Sequence, residues 1–196
     1  MSSMEAFISF QRSEYFKIGI IKHPKILFFS VKAPKEITHF KKFIDCEDRI
    51  KEFYTICETG LKEKLGCILF QFPPSYNFSP EKLAQIIQNL DVKFKNVVEF
   101  RHESWWNEEV WNAFREHNIT FCSVSHPQLP DTIFTDFPLI FIRLHGKPKM
   151  FYSSYSTKEL LDIKDAILLK SAFVYFNNTA SEAGILNALE LKHMLE

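Results

Sequence analysis

Six apolar runs rich in β-branched and aromatic residues punctuate the chain: FFSVK (28–32), ILFQF (68–72), VVEFRH (97–102), FCSVS (121–125), LIFIRLHG (139–146) and FVYFNN (173–178). Each has the length of a buried strand and stops at polar or charged residues. Between them lie stretches with helical spacing. Ile50, Phe53, Tyr54, Cys57 and Leu61 recur at helical intervals and predict a helix over 45–64, with Asp45 as N-cap and Gly66 as terminator. Ser79 and Pro80 open a second helix over 79–90. Further helices are expected at 106–117 beyond Ser104, at 157–168 with Thr157 as cap, and at 182–195; a weaker one over 14–23 stops before Pro24. Strand alternating with helix predicts an α/β fold with a parallel sheet, in which ligands sit at the C-terminal strand ends.

Period two sorts the strand side chains into faces. Val31, Phe70, Phe72, Val98, Phe100, Cys122, Val124, Ile140, Ile142, Leu144, Val174 and Phe176 form an apolar set expected to pack under the helices. The opposite face collects Lys32, Gln71, Glu99, Arg101, Ser125, Arg143, His145 and Asn177. Buried charges must be paired or wetted, because an isolated one costs several kcal/mol (order of magnitude). Glu99 with Arg101, or with Arg143, is the obvious pair. Two readings of this polar face stay open. One is a self-satisfied network in the interior. The other is a ligand site, favoured because the charges gather at strand ends rather than along whole strands.

Composition narrows the picture. The 196 residues suffice for one domain, read here as 1–196, and no linker or low-complexity segment divides them. Lys and Arg (24) balance Asp and Glu (24), so no global charge marks a nucleic-acid or membrane partner. The four cysteines, Cys46, Cys57, Cys67 and Cys122, have no metal or redox spacing and read as buried free thiols. No signal peptide and no bilayer-spanning run is evident, so a cytoplasmic protein without a membrane partner is expected. The 21 phenylalanines imply a core built from aromatic rings.

The polar set suggests chemistry. Lys32, Arg101 and Arg143 outnumber the one certain carboxylate, Glu99, which favours an anionic ligand bearing a phosphate or carboxylate. Glu99 and His145 are the candidates for any proton transfer. Gln71 and Asn177 would orient the ligand, with His102 and Asn178 beside them. Trp105 either lines the mouth, where an indole could stack on a base or sugar, or packs its helix onto the barrel. The loop GKPKMFYSSY (146–155) interleaves Lys147 and Lys149 with Tyr152 and Tyr155, a thin signal for nucleic acid. No metal ligand set has recognised spacing, and no cofactor is indicated.

FFSVKAPKEITH (28–39), LGCILFQFPPSY (65–76), VVEFRHESW (97–105), FIRLHG (141–146) and VYFNNT (174–179) with Asn187-Ala188 resemble, in order, the YecE-like family, also called domain of unknown function 72. The resemblance spans residues 7–195. It implies a TIM-type (β/α) barrel and leaves the activity open, since none is established for the family as a whole. By position, the family's recurrent polar residues correspond to Lys32, Gln71, Glu99, Arg101, His102, Arg143, His145, Gly146, Asn177 and Asn178. Family members usually begin with a Gly-Ser-Gly-Trp strand and a second strand carrying Glu and Asn. This chain begins within that second strand, at about Met4–Phe10, so the resemblance implies an incomplete barrel lacking its first βα unit. Ser125 stands where an Asp is usual, Glu182 where a Gly is usual, and Gly184 where an Ala is usual. Open barrel edges would favour self-association. The function expected is binding of an anionic small molecule at the strand ends. The alternatives are a nucleic-acid-binding or phosphodiester-processing barrel, with Trp105 and Tyr152 stacking on bases, and a non-catalytic remnant or interaction protein.

Overall fold

The computed structural model describes residues 28–196, and the backbone of the strand Ala6–Ile8. The helix expected over 14–23 lies outside the described residues. The chain divides into two compact units that part between Phe121 and Cys122.

In the first unit, five strands lie in sequence order: β1 (Ala6–Ile8), β2 (Phe29–Lys32), β3 (Leu65–Gln71), β4 (Asn96–Glu99) and β5 (Thr120–Phe121). β2 to β5 are parallel, as the alternation with helices α1 (Glu47–Leu61), α2 (Pro80–Asn89) and α3 (Glu108–Glu116) requires. β1 departs from the expectation of an all-parallel barrel strand near Met4–Phe10. It runs antiparallel to β2, with Ala6 opposite Val31 and Ile8 opposite Phe29.

The expected aromatic core is here. Phe43 packs edge-on against Phe70 at 5.4 Å, Phe72 stacks on Tyr76 at 4.4 Å, and Phe100 stacks on Trp105 at 3.9 Å between ring centroids. These rings bury completely or nearly so, and they fill the space between sheet and helices.

The second unit holds β6 (Ser123–Ser125), β7 (Ile140–Leu144) and β8 (Ala172–Phe176), parallel and adjacent in that order. Ile140, Ile142 and Leu144 pack against Leu160, Ile163 and Ile167 of α4 (Thr157–Ile167) and Leu191 of α5 (Ala183–Leu195). The strand pairings among the described residues thus form two sheets, and no closed ring of strands is seen.

Helix starts follow side-chain chemistry closely, and three expectations need correction. Ser79 caps α2 as expected, accepting from Lys82 N, with Pro80 in the first turn. Asp45 does not cap α1: it takes φ +48°, and Cys46 occupies the cap without a side-chain bond. Gly66 does not end that helix either. The chain leaves it at Lys62, φ +49°, and Gly66 is already inside β3. Ser156, not Thr157, caps α4, in a reciprocal pair with Glu159. The strand expected over 97–102 ends at Glu99, and the run expected over 121–125 is interrupted at Cys122 and begins one residue earlier, at Thr120. Among the described residues no helix is long and apolar enough to cross a membrane.

Candidate functional site

Strand register settles which side chains share a face. In the first unit Lys32 lies beside Leu69, and Gln71 beside Glu99. Lateral neighbours in a parallel sheet point the same way, so Lys32, Leu69, Gln71 and Glu99 share one face at the C-terminal edge. The other face carries Val31 beside Ile68 and Phe70 beside Val98, with Phe70 packed against Phe53 and Tyr54 of α1. The polar edge is therefore the face turned away from that helix.

Glu99 is fully buried. The chain bends after it, and Arg101 returns to the same side, where its Nε donates to Glu99 Oε1 at 2.5 Å. This is one of the pairings the sequence offered for Glu99. Gln71 is nearly buried, and its amide donates to the carbonyl of Phe72.

The register carries a further residue that the sequence reading passed over. His39 sits half-buried in the π-helical turn Glu36–Phe40, seven residues after Lys32. Its pKa is lowered below 6.5, first by burial and then by Lys32, Lys35 and Arg101, with Glu99 acting in the opposite sense. Its only sequence signal was membership of the segment KEITH, since an isolated histidine beyond a strand has no periodicity to expose it.

Two further residues expected at the ligand, His102 and Trp105, make structural contacts in this unit. His102 caps the turn Glu103–Trp105: its Nδ1 accepts from Ser104 N at 3.3 Å and lies 2.8 Å from Ser104 Oγ. Trp105 is completely buried. It stacks on Phe100 and Tyr76, and its Nε1 donates to Tyr76 O at 2.7 Å. No face of the indole is left for a base or sugar, so of its two expected roles it takes the packing one.

In the second unit Val124 lies beside Arg143, and Arg143 beside Tyr175. Ser123 and Ser125 lie beside Ile142 and Leu144, on the face that packs against α4. This reverses the expectation for β6: Ser125 is not on the face of Arg143, and Val124 is. The hydroxyls are accommodated locally. Ser123 Oγ accepts from Phe134 N at 2.9 Å, and Ser125 bonds the Tyr155 hydroxyl, which also accepts from Gly146 N at 2.8 Å. A cavity of about 180 Å³ opens on this side, lined by Ser125, Tyr155, Asp131, Glu159 and Asp162 among others.

Arg143 is buried and donates from Nε to Asn177 Oδ1 at 3.2 Å. His145 is buried two residues on, beyond the end of β7, 6.1 Å from the His126 ring. Asn178, also expected to touch ligand, turns the other way. It is fully buried, and its Nδ2 donates to Ser153 O at 3.0 Å and Asn187 Oδ1 at 3.2 Å. It anchors the loop after β7. Gly146 opens that loop at φ +93°, and a Cβ there would lie 3.1 Å from Lys149 O.

The expected site residues thus fall into two groups: Lys32, Gln71, Glu99 and Arg101, with His39, in the first unit, and Arg143, His145 and Asn177 in the second. Among the described residues no three His, Cys, Asp or Glu side chains are placed to hold a metal ion.

Parallel strands alternating with helices, and polar side chains gathered at their C-terminal ends, define an α/β protein of βα type. The chain belongs to the family of proteins of unknown function DUF72, also called YecE-like, whose model matches residues 6–196. A crystal structure of a DUF72 family protein from Thermotoga maritima MSB8 is similar, with 28% identity and a TM-score of 0.78 over 89% of this chain and 75% of that one. A DUF72 family protein from Enterococcus faecalis V583 shares the fold, with 22% identity and a TM-score of 0.73 over 88% and 79% of the two chains. No protein with a curated description matches the chain.

Proposed function

We propose that the chain is one domain, a (β/α) barrel of TIM type, and that its strand C-termini bind an anionic small molecule through a phosphate or carboxylate group. One observation carries the reading. The strand register gathers Lys32, Gln71 and Glu99 on one face at the C-terminal edge, and Arg101 joins them through its bond to Glu99. Cationic and amide donors grouped at one strand edge suit an oxyanion, and Arg101 presents a planar fork of donors. Gln71 orients the ligand here. Arg143 and Asn177 are the corresponding donors in the second unit. Any proton transfer is assigned to Glu99 in the first unit and, separately, to His145 in the second. Burial of Trp105 removes one of the two stacking side chains that a nucleic-acid interface would use, so a small molecule is the better reading.

Thermal unfolding with millimolar phosphate, against chloride at equal ionic strength, tests the proposal. A ligand of the native state adds about 2.7 kcal/mol at a hundredfold excess over its Kd. Phosphate should raise the midpoint, and Lys32→Ala should reduce the shift. A midpoint indifferent to every anion, or a shift unchanged in Lys32→Ala, refutes it.

A further inference from the structure

We propose that α5 is a self-association helix: its outer face pairs with α5 of a second copy of this chain, antiparallel about a two-fold axis, in a weak homodimer. The proposal does not depend on the anion-binding reading.

α5 is apolar on two opposite sides, and its inner side is accounted for. Leu191 joins the core with Ile140, Ile142 and Leu144. Asn187 holds the N–H and carbonyl of Tyr155 at 2.9 and 2.8 Å. A Cβ on Gly184 would lie 3.1 Å from Asn178 O, so the helix is seated closely on the chain beneath it. Its flank is tied to α4, where Thr157 Oγ1 donates to Glu190 Oε1 at 2.7 Å. The outer side carries Ile185, Leu186 and Leu189, which stay 65%, 59% and 55% exposed. At 3.6 residues per turn these three fall within one arc of about 100° and expose together roughly 300 Å². Single exposed aliphatics need no explanation, but a contiguous patch of that size marks an interaction surface. A helix that is apolar on all sides is ordinarily covered on all sides.

The residues at the two ends of the patch say what covers it. The exposed arc reads Glu182, Ile185, Leu186, Leu189, His193: an acid before the aliphatics and a base after them. That order is complementary to its own reverse. When two such helices run antiparallel with Leu186 opposite Leu189 of the other copy, Glu182 falls opposite His193, and two-fold symmetry repeats the pair at the other end. A parallel pair would set Glu182 against Glu182 and leave both carboxylates facing a like charge. His193 lies 3.7 Å from Glu196 of its own chain. Such an exposed contact is worth little and gives way readily to a second carboxylate. One helix face falls short of the roughly 800 Å² per partner of a standard interface, so the dimer is weak and depends on concentration.

Sedimentation velocity on the full chain, from about 10 μM to about 500 μM, tests this. Wild type should pass from monomer towards dimer across that range. Leu189→Lys should stay monomeric throughout and keep the thermal midpoint of dilute wild type, because the side chain it replaces is exposed in the monomer. Glu182→Lys should weaken association about threefold to tenfold, and the double variant Glu182→Lys with His193→Glu should restore it. A wild type that stays monomeric, or a dimer that survives Leu189→Lys, overturns the proposal. So does a Leu189→Lys monomer with a lowered midpoint, which would mean that the chain covers this face itself. A double variant as weak as Glu182→Lys alone overturns the antiparallel pairing on which the proposal stands.

Discussion

Asn187 on α5 holds the loop after β7, and replacing it with alanine should cost more than any surface substitution nearby. Its Oδ1 accepts from Tyr155 N at 2.9 Å, and from Asn178 Nδ2 and Ser154 Oγ at 3.2 Å; its Nδ2 donates to Tyr155 O at 2.8 Å. After truncation Asn178 Nδ2 keeps Ser153 O, and the exposed Ser154 hydroxyl turns to water. The N–H and carbonyl of buried Tyr155 have no such recourse. Two stranded backbone groups cost about 1–3 kcal/mol each, so Asn187→Ala should lose about 2–6 kcal/mol. For a chain of this size that lowers the midpoint by roughly 4–24 °C in a thermal scan followed by circular dichroism. The loosened loop should also expose Lys149 to trypsin, seen as faster cleavage in the native state. A midpoint within a degree or two of wild type, with an unchanged cleavage rate, would refute the clamp.

Two further outcomes are expected. Glu99→Gln removes the carboxylate bonded to Arg101 and should destabilise the fold by about 1–3 kcal/mol. Sulfate binding should tighten about tenfold, the effect of one unit charge at roughly 10 Å in an effective dielectric near 20; unchanged or weaker binding in calorimetry would favour a self-paired interior. Burial pushes the thiols of Cys46 and Cys57 up to about 11 and Cys67 up to about 12. Above about pH 9 the unfolded chain therefore holds fewer protons than the folded one, and stability should fall as the pH rises through 9 to 12 in urea titrations. Replacing the three cysteines by alanine should flatten that fall, and an identical alkaline slope would count against the assignment.

Much of the fold was legible because apolar runs and caps report local physics. The β3 and β7 runs are long and apolar, and Ser79-Pro80 announces α2 with its own cap. The shared face of the candidate residues was legible where charge and period agreed, as for Lys32, Gln71 and Glu99, which the register puts on one side of the sheet. It failed where polarity was made to stand for direction. Ser123 and Ser125 look like inward polar residues, yet Phe134 N and the Tyr155 hydroxyl satisfy them on the helix side. Only long-range pairing fixes such a face. Asp45 failed for a related reason: a residue suited to capping is equally suited to a left-handed turn, and the turn won.

A regularity at the strand ends ties these outcomes together. Three candidate ligand residues are each followed by one that locks the backbone. Gln71 precedes Phe72, which stacks on Tyr76 and Phe100. Arg101 precedes His102, which caps the next turn, and Asn177 precedes Asn178, which clamps the loop. Alternation explains the pairing, because adjacent side chains at a strand end leave opposite sides of the sheet. One can reach a ligand only while the other holds the chain to its supporting helix or loop. A binding site needs its groups held to a fraction of an ångström, and packing of the neighbouring residue supplies that rigidity. Substitutions at Phe72, His102 or Asn178 should therefore loosen ligand contacts without touching the ligand.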